Sequence, residues 1–324
     1  MTSDANPTSL AWFCGQIERR DNEMAPEICA IPTACTDDPL NRRPIGSVLI
    51  PAHNESAVIA RCLNNLFDGL EPGELEVAVV CNGCRDDTAE VARGFGRSVT
   101  VIQLEEASKP AALRAGDRHL RTFPRLYLDA DVVLTGRAAR CVLSELTREG
   151  AVVARPPFRY DTSRSSSIVR RYYRARVRLP AVMKSIWGAG VYGLSAAGRA
   201  RFVEYPDIVA EDLFVDQHFK AGELEIVGDD PVVVVAPASA RDLLKVMRRA
   251  YRGNAENRAR TLVEGGTTTT TSTMRDVARL GASGLEGMLD AMTYVLIAVA
   301  ARLYVAFGRS TRWERDESSR TMGS

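Results

Sequence analysis

Two aspartates one residue apart, in Asp129-Ala130-Asp131, are the residues whose types and spacing most directly indicate chemistry. They follow the apolar stretch Leu126–Leu128, which places them where a buried strand would run out into a loop. Mg²⁺ takes one or two protein carboxylates and lets substrate phosphates complete its octahedral shell. The triplet could therefore hold a divalent cation against a diphosphate, although a solvated turn is the ordinary interpretation of two such residues alone.

Short apolar runs alternate with segments of helical spacing through the first half of the chain. The predicted strands are Val48–Ile50, Val77–Val80, Val99–Ile102 and Leu126–Leu128. The predicted helices are Ser56–Phe67, Asp87–Phe95, Pro110–Leu120 and Arg137–Thr147. Continuously apolar strands indicate an α/β fold with a mainly parallel sheet that helices cover on both faces. Ligands of such sheets bind at the carboxyl ends of the strands, where Pro51–Glu55, Asn82-Gly83 and Asp129–Asp131 would converge.

Composition narrows the class of protein. The 324 residues are 45% hydrophobic and 26% charged, enough to fill a sizeable core in one large domain with extensions. A formal net charge of +1 gives no reason to expect nucleic acid as a partner. Seven cysteines without regular spacing indicate a reducing cytoplasm. The first residues predict no secretory signal, and no uninterrupted apolar run has the length of a bilayer span.

The remaining segments are less regular. Residues 1–43 are predicted to be an extension, with one helix near Leu10–Arg20. Val152–Ala154 and Val232–Val235 are predicted strands, and Arg241–Arg260 is a predicted basic helix. We expect a main domain over 44–262, a flexible linker over 263–273 that contains a threonine run, and a C-terminal helical segment with a tail over 274–324.

Six motifs in order give the chain a resemblance to a known family. They are Val48–Glu55, Val80–Thr88, Lys109–Gly116, Tyr127–Asp131, Ala210–Asp212 and Arg248–Asn254. Together they resemble the family 2 glycosyltransferases, whose Rossmann-like fold is called GT-A, over about Ile45–Arg258. The resemblance implies an enzyme that moves a sugar from a nucleotide-diphosphate donor to an acceptor hydroxyl and inverts the anomeric centre. Three motifs depart from the family: His53 replaces a tyrosine, Cys81-Asn82 replaces an acidic pair, and Gly253 stands where a tryptophan is usual.

The resemblance also implies roles for individual residues. Asp131 would hold Mg²⁺ or Mn²⁺ on the diphosphate, and Asp129 would support it. Asp212 would be the general base and Glu211 would orient it or touch the donor sugar. The nucleotide sugar would be bound by the residues that the other motifs contribute. These are Pro51, His53, Glu55, Asn82, Lys109, Arg249 and Arg252, with Asp129.

Plainer interpretations stay open for several of these residues. Glu211-Asp212 could begin a helix, whose N-terminus favours carboxylates. The arginines of 248–252 could be a solvated helix face, Lys109 a surface lysine, and His53 with Glu55 only loop hydrogen bonding.

Two letter patterns suggest other chemistry. Cys81–Cys84 is a C-x-x-C, but no second pair is present to complete a zinc site. Gly188–Gly193 fits a dinucleotide-binding pattern, but it lies mid-chain and not in a first strand-to-helix turn, so we expect a loop and strand beside the donor sugar.

Two segments bear on partners and location. The basic segment Arg164–Arg178 could be a solvated helix or a site for an anionic acceptor or anionic lipid headgroups. The apolar segment Leu285–Phe307 could be a packed helix, an interfacial helix or a homo-oligomer contact. The expected location is cytoplasmic, with peripheral contact at the inner face of the membrane as an option. Two other functions stay open: transfer to a polyprenyl phosphate or other lipid acceptor, and nucleotide-sugar binding without catalysis.

Overall fold

The computed structural model describes residues 43–208, 210–260 and 270–307. The predicted extension, apart from Arg43, lies outside these residues, as do most of the predicted linker and the tail from residue 308. The strands are β1 Gly46–Ala52, β2 Leu75–Asn82, β3 Val99–Leu104, β4 Arg125–Leu128, β5 Val153–Arg155, β6 Phe158–Asp161, β7 Val191–Leu194, β8 Leu224–Ile226 and β9 Val232–Val235.

Helices connect most of these strands. They are α1 Ile59–Phe67, α2 Thr88–Arg93, α3 Lys109–His119, α4 Gly136–Glu145, α5 Ser167–Val177, α6 Pro180–Met183, α7 Ala196–Arg199, α8 Glu211–Asp216, α9 Ala240–Arg260, α10 Thr270–Gly281 and α11 Leu285–Phe307. The strands and helices predicted in the first half are confirmed within three residues at each end. One prediction was wrong: Thr270–Thr273, assigned to the linker, form the first turn of α10.

Seven strands form one sheet in the order β3-β2-β1-β4-β7-β5-β8. All neighbours are parallel except β7, which runs antiparallel to both β4 and β5. The mainly parallel sheet predicted from the apolar strands is therefore confirmed. The strands β6 and β9 pair in parallel as a separate two-stranded sheet.

Alternate residues of the central strands fill two cores, one on each face of the sheet. Val48 and Ile50 pack with residues of α1, α2 and α4, while Leu49 packs with residues of α3 and α8. Because both faces are covered, every residue of β1 is buried. This explains why the strand is apolar without alternation.

A buried arginine fixes β4, the strand that leads to Asp129. The guanidinium of Arg125 is 1% exposed, and its Nη1 donates to Asp117 Oδ1 over 2.6 Å. The same carboxylate accepts from the Tyr127 hydroxyl over 2.8 Å and from Arg199 Nε over 2.7 Å. A buried charge of this kind is tolerated only when it is paired and fully hydrogen-bonded. These bonds fix the position of β4 relative to α3, and thereby the start of the loop that holds Asp129.

The C-terminal helices α9, α10 and α11 pack on one another and on α5 and α6. The ring of Tyr294 on α11 stacks on Tyr172 of α5 with centroids 5.2 Å apart. Asp290 of α11 is fully buried and accepts hydrogen bonds from Arg171 and Arg174 of α5. Two arginines of the basic segment are therefore engaged in internal ion pairs, and one side of α11 is packed against α5.

The opposite side of α11 is apolar and exposed. Met292, Leu296 and Leu303 are 52%, 64% and 52% exposed. The stretch Leu285–Ala306 has a mean hydropathy of 1.6 and is, by length and composition, long and apolar enough to cross a membrane. Glu286, Asp290 and Arg302 interrupt the apolar sequence, as expected, but α11 is one continuous helix that reaches this length in spite of them.

Candidate functional site

The loops after β1, β2 and β4 lie at the carboxyl edge of the sheet, as the sequence predicted. A cavity of about 1650 Å³ opens at this edge. Its lining includes Pro51, Asp129, Asp131, Glu211 and Asp212. The two carboxylate pairs, which are about eighty positions apart in the chain, therefore share one cavity.

Lys109 joins the two carboxylate pairs. It begins α3, whose N-cap Ser108 accepts a hydrogen bond from the backbone N–H of Ala111 over 3.2 Å. Its ammonium lies 2.5 Å from Asp129 Oδ1 and also forms an ion pair with Glu211 Oε1. Burial acts to lower the pKa of Lys109, but these two carboxylates outweigh it and raise the pKa well above its ordinary value. The lysine is therefore a permanent positive charge between the pairs, not a solvated surface residue.

The carboxyls of Glu211 and Asp212 have raised pKa values. Burial is the largest cause for both, and Lys109 opposes it for both. Asp129 adds repulsion to both carboxyls, and Asp212 adds repulsion to Glu211. The residues also begin α8, so the helix-start interpretation and the functional one describe the same position. A carboxyl with a raised pKa that lines a cavity is a candidate general base.

The Gly188–Gly190 loop holds both aspartate groups in place. The Asp129 N–H donates to the Gly190 carbonyl over 2.9 Å. The Gly188 N–H donates to the Asp212 carboxylate, which also accepts from the Leu213 N–H over 2.8 Å. The glycine pattern is therefore a loop that leads into β7, as predicted, and it does not precede a nucleotide-binding helix.

Asp131 is the exposed member of its pair and lines the cavity beside Asp129. The described residues contain no cluster of three or more His, Cys, Asp or Glu side chains that could enclose a metal ion. Two carboxylates that face a cavity fit a different kind of site, in which a hard cation takes its remaining ligands from substrate phosphates and water.

The first two loops are tied to each other. Asn54 has a positive φ of 52°, and its Oδ1 accepts from the Arg85 N–H over 2.7 Å. The ring of His53 contacts the Asn82 carbonyl through Nδ1 over 2.5 Å. The side-chain amide of Asn82 donates to the Ala52 carbonyl over 2.9 Å. His53 and Asn82 are thus engaged in loop hydrogen bonds.

The remaining predicted residues divide between the cavity and its surroundings. Pro51, Lys109 and Arg249 line the cavity, whereas His53, Glu55, Asn82 and Arg252 do not. Contacts of the second group with a nucleotide stay predictions.

The C-x-x-C segment has no reactive thiol pair. Burial, with Cys84 beside it, raises the pKa of Cys81 to about 12. Both cysteines are free thiols, and Cys84 Sγ accepts from the Asn54 N–H over 3.3 Å. A thiol that ionises so reluctantly is a poor nucleophile or metal ligand at neutral pH, so these contacts support a structural role.

One cavity residue was not assigned a role from the sequence. Arg176 of α5 donates from Nε to the Tyr160 hydroxyl over 2.7 Å and lies 5.3 Å from the centroid of the Trp187 ring. All three residues line the cavity. The basic composition of 164–178 indicated an anion site, but no spacing rule separates Arg176 from its exposed neighbours.

Comparison with known proteins agrees with this geometry. Residues 47–202 match the family model described as glycosyl transferase family 2. The mannosyltransferase PcManGT from Pyrobaculum calidifontis, solved in complex with GDP-Man and Mn²⁺, superposes with a TM-score of 0.59 at 15% identity. The superposition covers 84% of this chain and 89% of that protein.

Two relatives match parts of the sequence. Glycosyltransferase AglE from Haloferax volcanii is 33% identical over 93 residues, which are 27% of this chain and 31% of that protein. Poly-beta-1,6-N-acetyl-D-glucosamine synthase from Staphylococcus epidermidis is 26% identical over 193 residues, 56% of this chain and 47% of that protein. The chain spans less than half the length of these two relatives.

The described sheet and its flanking helices define the GT-A class of glycosyltransferase fold. Within that class, residues 47–202, just under half of the chain, match glycosyl transferase family 2. The family and fold that the six motifs predicted are confirmed.

The close approach of Gly190 to Val132, in the loop after Asp129, gives a testable prediction. Gly190 has a φ of +67°, and a Cβ placed there would lie 2.5 Å from Val132 Cγ2. We expect Gly190→Ala to lower the free energy of unfolding by more than the roughly 1–3 kcal/mol that a left-handed alanine alone costs. The measurement is urea unfolding followed by circular dichroism.

Gly96→Ala is the matched control, because Gly96 has a φ of +63° with nothing within 4 Å of its Cβ position. Equal losses of stability for the two variants would show that the contact with Val132 is unimportant.

Proposed function

We propose that this chain transfers a sugar from a nucleoside-diphosphate sugar to an acceptor hydroxyl, with inversion at the anomeric carbon. One observation carries the proposal. The pair Asp129 and Asp131, which suits a cation, lines the same cavity as Glu211 and Asp212, whose pKa values are raised, and Lys109 contacts one member of each pair. Such a cavity provides both of the groups that glycosyl transfer needs, one for the leaving diphosphate and one for the acceptor proton.

Asp129 and Asp131 would hold Mg²⁺ or Mn²⁺ against the diphosphate. Bound there, the cation supplies Lewis-acid stabilisation of the leaving group and fixes its position. Lys109 holds the Asp129 carboxylate in place by its 2.5 Å contact. Arg249, which lines the same cavity, would bind phosphate oxygens through its fork of N–H donors. The mannosyltransferase with GDP-Man and Mn²⁺ supports this assignment by its similar fold.

Asp212 would be the general base. Two backbone N–H groups orient its carboxylate, and its raised pKa makes it a stronger base than an ordinary aspartate. It would take the proton of the acceptor hydroxyl while the hydroxyl oxygen attacks the anomeric carbon. Attack from the side opposite the departing diphosphate inverts that carbon. Glu211, held by Lys109, would position Asp212 or contact the donor sugar.

The proposed site of action is cytoplasmic, with the exposed apolar side of α11 at a membrane surface. The exposed Met292, Leu296 and Leu303 support the second half of this statement. A binding protein without catalysis is less well supported, because it would have no use for a second carboxylate pair with raised pKa values in the same cavity.

Replacing the base tests the mechanism. We expect Asp212→Asn to lower kcat by about 10²–10⁴-fold, the usual contribution of a general base, and to leave nucleotide affinity unchanged. In the wild type, the rate should fall as pH decreases through the raised pKa of Asp212, because only the ionised carboxylate accepts a proton. The measurement is the pH dependence of sugar transfer or of donor hydrolysis.

The exposed Asp229, which pairs with Arg137, gives the matched control Asp229→Asn, which should leave the rate unchanged. A full rate in Asp212→Asn would remove Asp212 as the base.

Replacing the exposed metal ligand tests the donor site. Asp131→Ala should abolish the part of nucleotide-sugar affinity that depends on Mn²⁺, because a single carboxylate remains to hold the cation. Calorimetry or thermal shift with UDP-, GDP-, TDP- and CDP-sugars, with and without Mn²⁺, measures this difference, because a ligand that binds the native state raises its apparent stability. An unchanged Mn²⁺ dependence in the variant would contradict the assignment.

A further inference from the structure

The cavity is larger than a nucleotide sugar requires. Its volume of about 1650 Å³ exceeds the roughly 300–1,000 Å³ of ordinary ligand sites. Beyond the carboxylates, its walls come from β9 and the helices α9, α10 and α11. We call this part of the cavity the apolar limb. The apolar side chains that line it include Val233, Val235, Met247, Val277, Val295 and Val299. These apolar side chains fit an apolar chain, while α9 and α11 also contribute Lys245, Arg249 and Arg302 to the lining.

A positive charge lies in the same cavity. Arg176 is half-buried, and among residues 43–208, 210–260 and 270–307 no ion pair includes it. The two neighbouring arginines of α5 that face α11, Arg171 and Arg174, are both paired with Asp290. Instead of a carboxylate, Arg176 has the Tyr160 hydroxyl and the Trp187 ring beside it. Its charge is therefore available to a bound anion.

The side chain of Trp187, whose ring lies beside Arg176, has a polar group without a partner among the described residues. The indole Nε1 of Trp187 is buried, and no hydrogen-bond partner for it exists among the described residues. Buried N–H groups are nearly always satisfied by protein, water or ligand.

The guanidinium lies close to the proposed base. A Cβ placed on Gly188 would be 3.5 Å from Arg176 Nη2, while the N–H of the same glycine donates to the Asp212 carboxylate. Gly188 therefore lies between Arg176 and Asp212, and an anion bound to Arg176 would be close to the carboxylate that takes the acceptor proton. The acceptor, and not the donor, is the substrate that approaches Asp212.

We propose that the acceptor is an amphiphile: an anionic group beside its reacting hydroxyl binds Arg176, and its apolar chain lies between α9, α10 and α11. This inference rests on the proposed function and names its acceptor class. In the transfer, the hydroxyl oxygen forms a bond with the anomeric carbon and its proton passes to Asp212. The bond from that carbon to the diphosphate oxygen breaks, and the nucleoside diphosphate leaves.

A panel of lipids in detergent micelles separates the three required features. Phosphatidylglycerol and phosphatidylinositol have hydroxyl, anion and apolar chains. Diacylglycerol lacks the anion, glycerol 3-phosphate lacks the chains, and phosphatidic acid lacks the free hydroxyl. We expect transfer to at least one of the first two, and at least about tenfold lower kcat/KM for each deficient compound, the usual effect of one lost charged hydrogen bond or more.

The outcomes distinguish this inference from the proposed function. Donor hydrolysis by water without transfer to phosphatidylglycerol or phosphatidylinositol would overturn the acceptor class and leave the glycosyltransferase intact. Equal use of diacylglycerol or glycerol 3-phosphate would overturn the role of the anion or of the chain. Transfer to phosphatidic acid would show that a phosphate oxygen is the nucleophile, and would overturn the hydroxyl assignment.

Variants of Arg176 test the anion site. Arg176→Gln should raise the acceptor KM at least about tenfold, the usual loss for one charged hydrogen bond. The donor KM and the rate of donor hydrolysis should stay unchanged, and Arg176→Lys should restore part of the acceptor affinity. The matched control is Arg178→Gln, because Arg178 follows α5, is exposed and does not line the cavity. Parallel losses in donor and acceptor kinetics would indicate a merely structural role and overturn the assignment.

Variants of α11 test the apolar limb. Val299→Asp places a charge on the cavity wall, whereas Leu303→Asp places one on the same helix outside it. The first variant should raise the KM of the long-chain acceptor and the second should not. Equal effects of the two variants would place the chain on the exposed side of α11 and contradict a chain site inside the cavity.

Discussion

The ammonium of Lys109 is the interaction on which the rest of the site depends. Asp129, Asp131, Glu211 and Asp212 line one cavity, and burial raises the pKa values of Glu211 and Asp212. Lys109 contacts Asp129 and Glu211 at once. It holds the first carboxylate in place, and it lowers the pKa values of Glu211 and Asp212 from what burial alone would give. The donor half and the acceptor half of the cavity are therefore coupled through one side chain.

The sheet could be predicted from the sequence because each strand carries its own local pattern. Val48–Ile50 and Val77–Val80 are apolar without alternation, and such runs occur in strands that are covered on both faces. The second half was harder. Leu224–Ile226 was not predicted as a strand, since it is three residues long at the sheet edge and largely exposed. The helix start at Thr270 was hidden by a threonine run with low helix propensity, which tertiary packing overrides.

The site residues were likewise only partly predictable from the sequence. Motif order located the two aspartates of 129–131 and the acidic pair at 211–212, because these residues follow recognisable strand ends or helix starts. No local pattern could show that Lys109 joins them, since the contact is made by the order of β1, β4 and β7 in the sheet. Arg176 was visible only as one of several arginines. Arg171 and Arg174 differ from Arg176 because they pair with Asp290. Only the packing of α11 against α5 determines which arginines do so.

The central claim is that Lys109 sets the ionisation of Asp212, and carboxyl ¹³C NMR titration of protein labelled at aspartate tests it most directly. Asp212→Asn assigns the resonance. Asp212 should titrate above its ordinary pKa of 3.8 in the wild type, because burial outweighs Lys109. It should titrate higher still in Lys109→Met, because the charge that favours the ionised form is then lost. An Asp212 carboxyl that titrates at its ordinary pKa, or whose pKa is the same with and without Lys109, would contradict the account.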